Sequence, residues 1–186
     1  MAQQITDALR HDHDEVRELF RRVETASGER RQELFQQLLS ELIRHEVAEE
    51  EILRPVSKRD AGEAIAAARI KEESAAEELL KEMEKLDTSS SDFEKKLATL
   101  RRAVERHAEA EETKQFPRVA EKETRERLEQ MGQAYEAMKK AAPTRPHPST
   151  PNTPVANMLA GPFAAVADRA RDAVRDAVRD TRKPSS

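Results

Sequence analysis

The chain has 186 residues, 38% of them charged, and its 33 basic and 37 acidic side chains leave a formal net charge of -4, so no basic surplus is available for nucleic acid. It contains no cysteine, which excludes disulfides and thiolate metal sites and leaves imidazole and carboxylate as the available metal ligands. No run approaches the roughly 20 apolar residues that span a bilayer, and the N-terminal MAQQITDALRHDHDEV lacks the apolar core of a secretory signal; both features argue against a membrane and for the cytoplasm.

Helical periodicity begins at once. Thr6 is the expected N-cap of a first helix, whose apolar positions Leu9, Val16, Leu19, Phe20 and Val23 recur at three- and four-residue spacing up to the Ser27-Gly28 break. A second helix is expected over residues 30–54, with Leu34, Leu38, Leu42 and Ile52 on its inner stripe and Pro55 ending it. A third covers residues 59–86. The TSSS segment stops it, and Ser91 with Glu94 has capping-box spacing for a fourth helix that runs to Phe116 and is closed by Pro117. Short connections between long helices make antiparallel neighbours, so residues 1–120 are predicted to form an all-α, up-down-up-down four-helix bundle. An additional short helix over residues 121–142 is expected to pack on its outside through Leu128, Met131, Tyr135 and Met138.

Composition then changes. Residues 143–154 contain five prolines and read as an extended linker, in which His147 is not expected to be a ligand. Residues 155–186 form an amphipathic or disordered tail. Leu159, Phe163, Val166, Ala170, Val174 and Ala177 make a thin apolar stripe there, flanked by alternating Arg and Asp. Such a face is too narrow to fold alone and suits a protein partner or self-association, while the balanced charges blunt attraction to anionic lipid.

Two segments, RHEVAEEEILRPV and RHAEAEETKQFPR, repeat one pattern in which His45 and His107, Glu49 and Glu111, Glu50 and Glu112, and Pro55 and Pro117 correspond at a constant offset. A histidine followed four positions later by a glutamate presents imidazole and carboxylate on one helix face. The repeat extends upstream, where His13, Val16, Leu19, Phe20 and Val23 align with Glu73, Ala76, Leu79, Leu80 and Met83 after a two-residue shift that one loop absorbs. Two helical hairpins therefore offer His13, His45, Glu49, Glu73, His107 and Glu111 to a common centre. Three imidazoles and three carboxylates are too many for one structural zinc and suit two first-row transition metals, with iron the usual occupant of such mixed sites in helix bundles.

In so charged a chain an isolated HxxxE pair is an ordinary surface feature, but two in matching contexts point to ligands, since buried unpaired carboxylates would otherwise be costly. His11 points away from His13 and reads as solvated. Glu72 also falls near the core-facing stripe and competes with Glu73 as the third-helix ligand. Glu50, Glu51, Glu109 and Glu112 read as solvated, or as orienting imidazole N–H groups.

These residues resemble the hemerythrin-like, or HHE cation-binding, domain family. The resemblance rests on Asp12-His13, on HxxxEE ending in Pro from His45 to Pro55, and on HxxxEE ending in Phe-Pro from His107 to Pro117, and it covers roughly residues 5–120. It implies a four-helix bundle around a non-haem di-iron centre of two iron ions with an oxo or hydroxo bridge, in which Glu49 and Glu111 bridge the irons and His13, His45 and His107 are terminal ligands. The chain departs from the oxygen-carrying members, which have five histidine ligands, because its core offers three and places Glu73 on the third helix.

Function follows from ligand balance, since the fold alone does not decide it. Carboxylate in place of imidazole adds negative charge and hard donors, which favour the ferric over the ferrous state and disfavour reversible oxygen carriage. The expected function is a di-iron oxidoreductase of catalase or peroxidase type acting on hydrogen peroxide or nitric oxide, chemistry to which some hemerythrin-like proteins are linked. The alternative is an oxygen or iron binding and sensing module of hemerythrin type, whose tail relays its state to a partner. A plain bundle without metal is the third reading.

Overall fold

The structure, a computed structural model, describes residues 2–141; residues 142–186, which hold the expected linker, His147 and the tail, lie outside the described residues. Seven helices follow one another: α1 (Ile5–Thr25), α2 (Gly28–Ile52), α3 (Arg54–Asp60), α4 (Glu63–Met83), α5 (Ser91–Ala110), α6 (Phe116–Lys122) and α7 (Arg125–Ala141), with a π-helical turn at Glu111–Gln115 between α5 and α6. The long helices α1, α2, α4 and α5 form the expected bundle, and α7 packs against α1 and α2.

The helix ends differ locally from expectation. Gln4 precedes α1, and Thr6 is buried within the first turn. Ser90, one residue before the expected cap, accepts a hydrogen bond from the Phe93 amide at 3.2 Å, while Glu94 turns to Arg31 at 3.1 Å. Neither proline stops the chain. Pro55 lies in the first turn of α3 and Pro117 in that of α6, where a missing N–H leaves no helical partner unsatisfied. The third helix accordingly begins at Glu63, after Gly62 adopts φ 102°, a conformation that glycine takes without steric cost. The helix expected over 121–142 is α7, which begins at Arg125, residues 121–122 closing α6 instead.

Apolar spacing on α1 and α2 feeds two separate cores, to one of which α4 and α5 also contribute. One gathers Val16, Phe20 and Val23 with Leu34, Phe35, Leu38, Phe93, Leu97 and Leu100, and there Phe35 meets Phe93 edge-on at 4.9 Å. The other gathers Ile5, Leu9, Ile52, Leu53, Phe116 and Val119 with Leu128, Met131, Tyr135 and Met138 of α7. Fully burying one such large side chain contributes about 1.5–3 kcal/mol. The four α7 residues sit where the sequence placed them, but in a core and not merely on its outside. Close approach is possible because residue 132 is glycine: a Cβ there would lie 2.2 Å from the Gln3 carbonyl oxygen.

Between the cores α1 and α2 interrupt their apolar stripes with polar residues. His13 falls between Leu9 and Val16 on α1, and His45 and Glu49 fall between Leu38 and Ile52 on α2. The interruptions share one level of the bundle.

Candidate metal centre

All six sequence-predicted ligands converge on that level. His13, His45, Glu49 and Glu111 are buried, with 5%, 7%, 1% and 0% of their surface exposed, and Glu73 and His107 are partly buried. His13 Nε2 lies 3.3 Å and His107 Nε2 3.5 Å from Glu111 Oε2, His45 Nε2 lies 3.7 Å from Glu49 Oε2, and Glu73 Oε1 is 4.0 Å from His107 Nε2. Two groups of potential ligand atoms, His13-His45-Glu111 and Glu49-His107-Glu111, each lie within 4.8 Å of one another and share Glu111. A carboxylate common to two such groups can join two cations.

Local backbone aims these side chains. The i, i+4 spacing puts His45 above Glu49 on α2 and His107 above Glu111 at the end of α5. The π turn begins at Glu111. Its widened backbone accommodates the ring of Pro117 and brings Phe116 parallel to the His13 imidazole, 6.0 Å between centroids at 12°. Single-turn π-bulges of this kind are frequent at functional sites.

Each imidazole is held from behind through Nδ1. His13 Nδ1 donates to Glu112 Oε1 at 2.8 Å, which also takes Arg17 at 3.0 Å, and His107 Nδ1 donates to Glu72 Oε2 at 3.2 Å. The Tyr135 hydroxyl donates to Asp12 Oδ2 and accepts from His45 Nδ1 at 2.9 Å. Lys139 Nζ completes that chain, 2.7 Å from Asp12. With every Nδ1 bonded to an acceptor, every Nε2 lone pair is left facing inward, the arrangement that metal-ligating histidines adopt.

The inward atoms fit a cation. His13 Nε2, Glu49 Oε2, Glu73 Oε1 and Glu111 Oε2 are buried with no hydrogen-bond partner, a costly condition unless something charged satisfies them. Burial pushes the Glu111 carboxyl up to about 7, and burial and the neighbouring Glu111 push Glu49 well above the usual carboxylate range. Burial moves the imidazoles the other way: His13 falls below its ordinary value, and His107 falls to about 3, helped by nearby His45 and Arg69. Neutral imidazoles and proton-holding carboxylates are the forms expected where a cation would otherwise supply positive charge. Asp12 behaves differently: burial would raise it, yet the hydrogen bonds from His45, Lys139 and Tyr135 hold it below its ordinary range.

Glu73 and Glu72 take separate places. Glu73 turns Oε1 toward the centre, while Glu72 lies behind His107 with its side chain 41% exposed. His11 is solvent-exposed beside Glu15, as expected, and Glu50 and Glu109 are exposed. Glu51, expected to be solvated or to orient an imidazole, is buried at 8% exposure. Sequence reasoning missed Tyr135 and Lys139 as parts of the site. A signal existed: Tyr135 is the only tyrosine in the chain, and Lys139 follows it by one helical turn.

Comparison with known proteins agrees with this picture. A crystal structure of a hemerythrin HHE cation binding domain-containing protein from Mycobacterium kansasii superposes with a TM-score of 0.67 at 22% identity, covering 90% of this chain and 99% of that one; at that identity the likeness speaks for the fold. An uncharacterized hemerythrin-like protein of Schizosaccharomyces pombe is 29% identical over 172 residues, 90% of this chain and 85% of the relative. The family model for the hemerythrin HHE cation binding domain matches residues 4–119, well over half of the 186 residues, and the chain belongs to that family.

Proposed function

We propose that His13, His45, Glu49, Glu73, His107 and Glu111 hold two iron ions, and that the protein is a non-haem di-iron oxidoreductase of catalase or peroxidase type acting on hydrogen peroxide or nitric oxide. The observation that carries this reading is the set of four buried, unpartnered nitrogen and oxygen atoms facing one space, in a layer whose imidazoles are all anchored at Nδ1. Two bound irons would supply a redox pair able to exchange electrons with a small oxidant. The chain's own residues prepare that chemistry. Phe20 on one side of the layer and Leu9 and Phe116 on the other, all fully buried, close its two ends to bulk water. Glu111 and Glu49 hold a proton at the centre when no cation is present. Three carboxylates among six ligands keep the donor set hard, which favours turnover over carriage of oxygen.

A cytoplasmic setting accords with the cysteine-free sequence, and among the described residues no helix is long and apolar enough to cross a membrane. Residues 143–186 are proposed to lie outside the metal unit and to serve association with a protein partner or another copy of the chain. The test is iron quantification followed by steady-state assays with peroxide and with nitric oxide. About two irons per chain with turnover of either substrate is the expected result. Two irons with a spectrum that cycles reversibly between air and deoxygenation, and with no turnover, would replace this reading by the oxygen-binding module. A folded chain that takes up no iron under anaerobic reconstitution refutes it.

A further inference from the structure

A cavity of about 280 Å³ lies beside the ligand cluster, among α1, α2, α4 and α5. His13, His45, Glu73 and His107 line one side of it, and Val16, Phe20, Leu42, Leu80 and Val104 are among its apolar walls. Few side chains of α4 reach the core there: of that helix, Ala66, Arg69 and Met83 alone are buried, and the small side chains of Ala76 on α4 and Ala103 on α5 both line the space. Leu42, Leu80 and Val104 remain only partly buried at the edge of the core for the same reason. The space is open to solvent on one side, where Ile70 is exposed, so an apolar guest would remove these walls from water, which is favourable.

Its size selects the guest. A water molecule takes up about 30 Å³ in the liquid, and an apolar cavity of about 150 Å³ admits benzene. Hydrogen peroxide or nitric oxide would occupy a small part of 280 Å³, whereas a substituted arene or a branched alkyl group would fill it. Charge narrows the class further. Glu46, Glu50, Glu72, Glu77 and Glu105 border the cavity against two cations, Arg17 and Arg54, and both are already engaged, Arg17 by Asp14 and Glu112 and Arg54 by Glu46 and Glu73. An anionic head group would meet carboxylates.

We propose that this cavity binds an uncharged organic molecule with an arene-sized or branched-alkyl body and one small polar group, an alcohol or a hydroperoxide, directed at His13, His45 and His107. The direction of the polar end rests on the metal reading above; the site of the apolar body does not.

The experiment is calorimetric titration of the full chain, metal-free and iron-loaded, with cumyl alcohol and with benzoate, repeated on Ala76→Phe and Ala103→Phe, and iron is measured on the same samples. Saturable binding of cumyl alcohol that weakens at least tenfold in both variants, with no binding of benzoate, is expected. Absence of saturable binding to the wild-type chain, equal binding to both folded variants, or benzoate binding as tight as that of cumyl alcohol overturns the proposal. Where a variant does not fold, methyl NMR of the wild-type chain decides. Shifts centred on Val16, Leu42, Leu80 and Val104 support the cavity, and shifts centred on Leu53 and Leu128 overturn it. Cumyl alcohol binding by a chain that takes no iron would refute the metal reading alone, and iron loading without binding would refute the cavity alone.

Discussion

Arg54 Nη2 lies 2.7 Å from Glu73 Oε2, and the same nitrogen is 2.8 Å from Glu46 Oε1. At the offset that relates His45 to His107, Arg54 corresponds to Phe116. Phe116 stacks on His13, and Arg54 pairs with the residue aligned with His13, which is Glu73. The two halves of the bundle therefore differ in a coupled way: imidazole against phenyl in one, carboxylate against guanidinium in the other. Part of the negative charge that Glu73 brings to the centre is neutralised by its neighbour, so the effect of that carboxylate on the metals is smaller than a count of ligands suggests.

Glu73→His alone should accordingly perform poorly. It sets an imidazole against a guanidinium and strips a carboxylate from a largely desolvated arginine, at a stability cost of about 1–3 kcal/mol. Combined with Arg54→Phe it reproduces the pairing of the other half. The double variant is expected to carry two irons and, because it removes one negative and one positive charge together, to have a reduction potential closer to the wild-type value than that of Glu73→His alone, read by redox titration; a larger shift in the double variant than in the single one would contradict the charge argument.

Glu72 and Glu73 separate by the same kind of measurement. Glu73→Ala removes an inward oxygen and should lower iron content toward one per chain. Glu72→Ala leaves the ligand count intact but removes the acceptor for His107 Nδ1, so it should weaken iron binding by about 10-fold or somewhat more. A larger loss of iron from Glu72→Ala than from Glu73→Ala, in elemental analysis, would reverse their roles.

Tyr135→Phe tests whether α7 belongs to the centre. The ring and its packing persist, while His45 Nδ1 loses its 2.9 Å acceptor and keeps only Asp12, 3.5 Å away, and Asp12 keeps Lys139. A destabilisation of about 1 kcal/mol is expected from the weakened pairing of the buried N–H, with iron affinity down by about 10-fold. Denaturant unfolding and competition with a chelator measure the two effects. Unchanged affinity would make α7 a packing element only.

Affinity for iron should depend on pH in one direction. Cation uptake must displace the proton that burial keeps on Glu111, raised to about 7, and its raised neighbour Glu49, whereas His13 and His107, both lowered by burial, are already neutral and release none. Binding of iron(II) is therefore expected to strengthen by at least about tenfold per pH unit as pH rises toward 7, where Glu111 loses its proton. Anaerobic titrations at pH 6 and pH 8 check this, and weaker binding at pH 8 would contradict it.

Truncation after Ala142 should leave iron content and spectrum unchanged, because no proposed ligand lies beyond Glu111 and, among the described residues, none of their hydrogen-bond partners lies beyond Lys139. The melting temperature should shift by no more than a few degrees. Loss of iron from the truncated chain would bring the terminal segment into the site.

Much of this protein was legible in its sequence because the information is local and periodic. Apolar spacing of three and four residues determined the helices, and an i, i+4 pair made twice determined which faces carry His45, Glu49, His107 and Glu111. The upstream alignment added His13 and Glu73. Prolines misled because their ring forbids one hydrogen bond and not the helix itself, so Pro55 and Pro117 open short helices where a stop was expected. What the tertiary structure alone decided are contacts across long stretches of chain. Tyr135 meets His45 and Asp12 because α7 folds back over α1 and α2. Arg54 meets Glu73 because α3 turns the chain between two hairpins, and the cavity appears only where side chains of α1, α2, α4 and α5 come together. No period in the sequence records such encounters, since each depends on how separate helices are set side by side.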